Sequence, residues 1–134
     1  MELAPVALSR RYAMDVPNVS RSSAETNTGF GEGIKNTAAL LALNRPNGVF
    51  AAAAAAGAVI GGKSDWFLGS LAEMGGAMEI LRTKVYLPNE PTPKVMTSSL
   101  SRTVADSTQI FGFDRSYTVN VSTLGYVVPV RLFG

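Results

Sequence analysis

The octapeptide from Gly57 to Ser64, GAVIGGKS, matches the phosphate-binding pattern G-x-x-x-x-G-K-[ST]. In proteins that use this loop, glycines such as Gly57 and Gly62 let backbone N–H groups surround the phosphates. Lys63 would reach the β- and γ-phosphates, and Ser64 would bind Mg²⁺. Such a loop lies between a strand and a helix, but the six alanines before Gly57 favour a helix. The sequence therefore favours a glycine that ends one helix and a linker into the next, with nucleotide binding as the alternative.

Other side chains offer no set that could perform catalysis or hold a metal. The chain has no cysteine and no histidine, which removes the thiolate nucleophile, the commonest general base and the usual transition-metal ligands. Glu73 and Glu79 are six residues apart and point in different directions on a helix. Asp106 and Asp114 flank a predicted strand without a third partner. We therefore expect no catalytic residue, no metal and no cofactor, and most carboxylates at the solvated surface.

The composition indicates one small globular domain with few charges. The chain has 134 residues, of which 46% are apolar, enough for one modest core. Charged residues make up 16%, below the roughly 25% that is usual. Either a partner covers part of the surface, or a chain rich in alanine and glycine simply carries few charges. A net charge of +2 without a basic stripe among aromatics gives no strong nucleic-acid signal. The compartment is left open.

Residues 1–31 are predicted to form an extended arm. Pro5 and Pro17 interrupt any helix, and small polar residues dominate its second half. Such an arm is either disordered in isolation or ordered on a neighbour. Its mildly basic character suits contact with an acidic partner and comes from three arginines, Arg10, Arg11 and Arg21.

The remainder, residues 32–134, is predicted to be a single α+β domain. Two to three packed helices are expected at about 32–44, 49–61 and 65–82, followed by a small antiparallel β-sheet at about 84–133. On the first helix the apolar residues that can face one way are Ile34, Ala38 and Leu41, with Leu40 on the adjoining edge. The strands are expected near 84–87, 109–113, 116–124 and 126–133, with Pro129 at a sheet edge or bulge.

The uncharged run over residues 46–62 includes the alanines of the second helix. Its length is at the lower limit for crossing the hydrocarbon core of a membrane, about 30 Å. Alanine and glycine contribute little transfer free energy, so a helix buried in protein is the favoured interpretation. Insertion into a membrane is the alternative.

The stretch from Ser64 to Arg82 predicts the helix around which the domain is organised. Its large apolar residues follow steps of 4, 3, 4 and 3, namely Phe67, Leu71, Met74, Met78 and Leu81. Ser64 or Asp65 would cap its start. Leu71, Met74 and Met78 should be buried, whereas Glu73 and Glu79 should be exposed. On the opposite side lies a face of small residues for close approach to a second helix, Gly69, Ala72 and Gly76. Alternatively, the helix breaks at Gly75-Gly76.

These features favour a non-enzymatic structural subunit of a larger assembly, of linker, coat or scaffold type. It would act through helix packing and the N-terminal arm, with protein subunits of the same or a different kind as partners. The predicted contact residues are Gly69, Ala72, Gly76, Arg10, Arg11 and Arg21. Two alternatives remain open, a nucleotide-binding protein that uses residues 57–64 and a membrane-associated small subunit that uses residues 46–62.

Overall fold

A computed structural model describes residues 1–5, 7–8, 11–12, 28–42, 50–77, 94–100, 107–111, 116–120 and 123–132. The predicted α+β class is confirmed. The helices are α1 (Gly33–Ala42), α2 (Ala51–Ala56) and α3 (Leu71–Gly76). The strands are β1 (Glu2–Leu3), β2 (Arg11–Tyr12), β3 (Val95–Leu100), β4 (Ser107–Phe111), β5 (Ser116–Asn120), β6 (Gly125–Tyr126) and β7 (Val130–Arg131).

Five strands form one sheet in the order β2-β6-β3-β4-β5, and β1 pairs with β7 in a second, two-stranded sheet. The β4–β5 pair is antiparallel, as predicted. The β3–β4 and β2–β6 pairs are also antiparallel, although no strand was predicted at β2 or β3, and β6 lies parallel to β3 through a single residue pair. Pro129 falls between β6 and β7, which agrees with the interruption that its missing N–H predicts. The strand predicted at residues 84–87 lies outside the described residues.

The start of the chain runs antiparallel to its end. Glu2 and Leu3 pair with Arg131 and Val130. Further along, Ala4 donates its N–H to the Pro129 carbonyl and Leu8 to the Val127 carbonyl, both at 2.9 Å, before β2 pairs with β6. These parts of the predicted arm therefore add to the protein's own sheet. Arg11 lies in β2, whereas Arg10 and Arg21 lie outside the described residues.

Among the described residues, the buried apolar side chains form two clusters. One lies between the first two helices and the sheet and includes Leu40, Phe50, the buried alanines of α2, Leu68, Met96, Ile110 and Val127. The other collects Phe67, Met74, Ala77, Val95, Val128 and Val130. Alanine lets α2 pack closely, since Ala51, Ala52 and Ala55 are all fully buried. No helix within the described ranges is both long and apolar enough to cross a membrane.

The predicted helix over 65–82 is wrong over its first part. Phe67 pairs with Val130 instead, in an isolated bridge closed by backbone hydrogen bonds of 2.8 and 2.9 Å. Ser70, not Ser64 or Asp65, caps the helix, so that α3 begins at Leu71. Backbone pairing with a distant strand has overridden the local periodicity. Met74 is buried as predicted, Leu71 is half-buried, and Met78, Glu79 and Leu81 lie outside the described residues.

Candidate functional site

The octapeptide that matches the phosphate-binding pattern forms a tight hairpin turn. A glycine ends α2, but it is Gly57, earlier than the predicted helix end at about residue 61. Ile60 and Lys63 then exchange two backbone hydrogen bonds of 3.0 Å across Gly61 and Gly62, whose φ angles are +59° and +77°. A two-residue turn with positive φ at both central positions is the type I′ hairpin turn, and glycine adopts it at little cost. The glycines are thus used to reverse the chain.

The surroundings of this turn differ from those of a phosphate-binding loop. A helix precedes it, and no helix follows until Leu71. Trp66 instead donates its indole N–H to the Lys63 carbonyl at 2.9 Å, which holds the turn against the following segment. Lys63 and Ser64 are exposed to solvent. The structure therefore lacks the strand–loop–helix setting that nucleotide binding by this motif requires.

The predicted face of small residues does not exist as one helix face. Gly69 precedes the helix and lies against Met74 and Val130, where an added Cβ would come within 2.7 Å of the Met74 sulfur. Ala72 is half-buried and donates its N–H to the Thr28 carbonyl. Gly76 lies beneath the ring of Phe30, at 3.3 Å from an added Cβ. The prediction is wrong because Gly69 lies before the start of α3 and shares no helix face with the other two.

Glu73 was predicted to be exposed, but only 4% of its surface is accessible. Its Oε1 accepts the N–H groups of Gly33 and Ser70, each at 2.9 Å, and its Oε2 accepts the N–H of Gly31 at 3.4 Å. With Ser70 it forms a capping box on α3, while Gly33 is the first residue of α1. One carboxylate therefore satisfies free backbone donors at the start of two helices.

Arg131 is the second buried charge, with 8% of its side chain exposed. Its Nε and Nη2 donate to Asp65 at 2.7 and 3.0 Å, and its Nη1 donates to Glu2 at 2.6 Å. Its guanidinium lies 5.9 Å from the centre of the Trp66 ring, a cation–π contact. These hydrogen bonds raise the pKa of Arg131, and the bond from Arg131 lowers the pKa of Asp65 below its ordinary 3.8. The arginine joins both ends of the chain to the hairpin segment.

Helix α1 presents polar side chains to the protein interior. Asn36 is fully buried and donates its side-chain amide to Ser98 of β3 at 3.2 Å. The Thr37 hydroxyl accepts the N–H of Leu68 at 3.0 Å and lies within hydrogen-bonding distance of two carbonyls. Leu40 is the buried large apolar residue of this helix. Directional hydrogen bonds therefore fix which side of α1 faces the sheet.

An adjacent side of α1 is apolar and faces solvent. Ile34 is 47% exposed, Leu41 is 37% exposed, and Ala38 between them is also exposed. We call these three residues, at positions i, i+4 and i+7, the outer stripe. The sequence grouped these residues with Leu40 on one side of the helix without predicting which way that side faces, and of the group only Leu40 is buried. Phe30, one turn earlier, is 73% exposed.

Comparisons with protein-family models, with curated proteins and with solved structures found no match for this chain. In the part that the structure describes, no three histidine, cysteine, aspartate or glutamate side chains converge as metal ligands would. Among the described residues, the outer stripe places three exposed apolar side chains on one side of one helix.

The contacts of Glu73 and Arg131 were not predicted from the sequence, for different reasons. Ser70-Leu71-Ala72-Glu73 carries the S-x-x-E pattern of a capping box, a signal that identifies Glu73 as a partner of the helix start. No local pattern marks Arg131, because its partners Asp65 and Glu2 are 66 and 129 residues away in sequence.

Proposed function

We propose that this protein is a non-enzymatic structural subunit that assembles with further copies of itself through the outer stripe. The observation that carries the proposal is the orientation of α1, which buries Asn36 and Thr37 and exposes Ile34 and Leu41. An amphipathic surface helix ordinarily does the reverse. Burial of the exposed parts of these side chains would supply a favourable free energy, since full burial of one such residue contributes about 1.5–3 kcal/mol.

The spacing of the outer stripe supports a second copy as the occupant. An antiparallel copy centred near Ala38 places Ile34 against Leu41 of the second copy, with the small alanine at the centre for close approach. Lys35 is the one charged residue of α1. In this arrangement the two Lys35 residues are not directly opposite each other but about 7.5 Å apart along the helix axis.

The contact is small, so we expect it to be one of several contacts in a larger assembly. Three side chains on one helix cover far less than the roughly 800 Å² per partner of a stable interface. We therefore expect the isolated chain to associate reversibly and in a concentration-dependent manner.

The test is sedimentation velocity over a wide range of protein concentration, for the natural chain and for the variant Ile34→Glu/Leu41→Glu. Both positions face solvent, so the charges should leave circular dichroism and the unfolding midpoint nearly unchanged. Association should be lost, because the glutamates would be desolvated in the contact without a partner.

The matched control is Val59→Glu/Leu124→Glu, which places the same charges at positions that are 71% and 48% exposed. This variant should associate as the natural chain does. If the natural chain is a stable monomer throughout the concentration range, or both variants lose association equally, the proposal is wrong.

A further inference from the structure

The N-terminal segment is defined as residues 1–12, and its described residues lie alongside residues 125–131, which we call the groove. At one end Glu2 and Leu3 pair with β7, and at the other end β2 pairs with β6. Between them the groove carbonyls of Pro129 and Val127 accept N–H groups from the segment. The side chain of Leu3 packs on the apolar cluster of Phe67 and Val130. The segment is bound much as a separate peptide strand would be.

The groove selects its occupant by chemistry. Two nitrogen atoms of Arg131 donate to Asp65, whereas its Nη1 donates to Glu2 of the segment. If the segment left, this N–H of a buried guanidinium and the groove carbonyls would lose their partners, at a cost in free energy. An occupant must therefore supply a carboxylate opposite Arg131, an apolar residue next to it, and a free strand edge. A second copy of residues 1–12 supplies all three.

The chain between the segment and the rest of the domain is long enough to reach a neighbour. Fifteen residues, 13–27, separate Tyr12 from Thr28. A chain of this length spans at most about 50 Å when extended. A globular domain of this size has a radius of gyration of about 14 Å, so the reach exceeds the width of the domain.

We infer that residues 1–12 are an exchangeable strand, which occupies the groove of its own chain in dilute solution and that of a neighbouring copy within an assembly. The two states share the same strand contacts, so they differ mainly in the entropy of the connection. A tethered segment has an effective concentration on the order of mM at its own groove, so exchange requires neighbouring copies at a similar local concentration. The inference rests on the proposed function in one respect, because assembly through the outer stripe supplies that local concentration.

The absence of cysteine from the chain allows a direct test with single-cysteine variants. Leu3 and Val130 are opposite each other in the β1–β7 pair. Leu3→Cys chains are mixed with Val130→Cys chains of different tagged mass, equilibrated in a thiol–disulfide buffer and separated on non-reducing gels. A disulfide between the two kinds of chain requires a segment of one copy in the groove of another. When the protein concentration exceeds the effective concentration of the tethered segment, we expect the yield of this disulfide to be at least about tenfold that of the control mixture.

The control mixture is Leu3→Cys with Val59→Cys, a more exposed thiol on the hairpin, which reports random collision. The double variant Leu3→Cys/Val130→Cys should close as a monomer in dilute solution, which verifies the geometry. If Val130→Cys fails to fold, Arg11→Cys and Tyr126→Cys, also opposite in the register, replace the pair. Mixed disulfide at the control level at all concentrations, with efficient closure of the double variant, would overturn the inference.

The same mixture separates this inference from the proposed function. If the natural chain assembles in sedimentation but no mixed disulfide forms, exchange is wrong and the outer-stripe proposal stands. If the mixed disulfide forms at high concentration although the chain does not associate through the outer stripe, exchange stands alone. In the Ile34→Glu/Leu41→Glu background, we expect exchange to require a higher protein concentration than in chains that keep Ile34 and Leu41.

Discussion

Glu73 and Arg131 are both buried charges, but they are stabilised in opposite ways. Glu73 is surrounded by neutral backbone donors, the N–H groups of Gly31, Gly33 and Ser70. Arg131 is surrounded by ionisable side chains, Asp65 and Glu2. The donors around Glu73 are uncharged backbone groups fixed by the fold, whereas the attraction between Arg131 and its two carboxylate partners is weakened by salt. The first centre should act as a permanent joint, and the second as an attachment that solution conditions can weaken.

The positions of the two centres agree with this difference. Glu73 joins the first turn of α1 to the first turn of α3, where both helix dipoles favour a negative charge. Arg131 joins the N-terminal segment to β7 and to Asp65 of the hairpin segment, which is 61% exposed on its side chain. The substitutions below test whether removal of the first centre affects the whole domain and removal of the second affects only the attachment.

The largest effect is expected for Glu73→Ala. Three backbone N–H groups would lose their acceptor in the interior, and we expect a loss of about 2–5 kcal/mol in the free energy of unfolding. Glu73→Gln keeps one acceptor oxygen and should lose less. Urea unfolding followed by circular dichroism measures both. The matched control is Glu32→Ala, whose partner Lys35 is 3.9 Å away at the surface, for which about 0.5 kcal/mol or less is expected. Equal losses at Glu73 and Glu32 would remove the contrast between the centres.

Gly33→Ala should disturb the same joint from the other side. The added Cβ would lie 2.2 Å from Oε1 of Glu73 and 2.9 Å from the backbone nitrogen of Ser70. We expect a loss of about 1–3 kcal/mol, although alanine is the better helix former. Gly29→Ala is the control, because its Cβ would meet only the Glu32 side chain at an ordinary 3.7 Å.

The double variant Gly33→Ala/Glu73→Ala sharpens this test. The carboxylate oxygen is the closest atom that the new methyl group meets. Without it, the stability lost in the double variant should be smaller than the sum of the losses in the two single variants. Full additivity would show that Gly33 and Glu73 act independently and that the joint is not one unit.

Elements defined by local patterns were the ones that the sequence could predict. The alternation from Ser116 placed β5 correctly at its start, and the alanine run placed α2 correctly near its start, although the helix ends at Ala56 and not near residue 61. The α+β class followed from such elements. Where the sequence failed, a distant partner decided the outcome. Phe67 fits a helical stripe, but it pairs with Val130, 63 residues later in the chain.

The orientation of α1 shows the same limit at the candidate site. Its apolar periodicity was visible, but the periodicity alone did not say whether that side faces the core or solvent. The direction is set by hydrogen bonds from Asn36 to Ser98 and between Thr37 and Leu68, which are 62 and 31 residues apart. No local feature of the helix reveals that such partners exist. The outer stripe could therefore be located from the sequence as a set of residues, but not as a surface.

Asp65→Asn tests the titratable centre, with a smaller expected loss than Glu73→Ala. Because Arg131 lowers the pKa of Asp65 in the folded state, the ionised form contributes stability above its ordinary pKa of 3.8. This contribution disappears as the pH falls through the lower, folded-state pKa. The difference in unfolding free energy between the natural chain and the variant should thus be constant near neutral pH and shrink below about pH 3.8. Fluorescence of Trp66, the one tryptophan of the chain and a neighbour of Arg131, reports the transition. A difference that does not change with acid would contradict this assignment.

The smallest and most local effect is expected for Glu2→Gln. The amide keeps an oxygen that can accept from Arg131, but it replaces a charged hydrogen bond by a neutral one of about half the strength. Global unfolding should hardly change, since Asp65 still holds the guanidinium on two nitrogen atoms. Hydrogen exchange at the N–H groups of Ala4 and Leu8, which donate to the groove, should become a few-fold faster. High salt should move the natural chain toward the variant, because screening weakens only the charged pair. An unchanged hydrogen-exchange rate at Ala4 would show that the backbone hydrogen bonds alone retain the N-terminal segment. The contrast between the Glu73 and Arg131 centres would then depend on Asp65 alone.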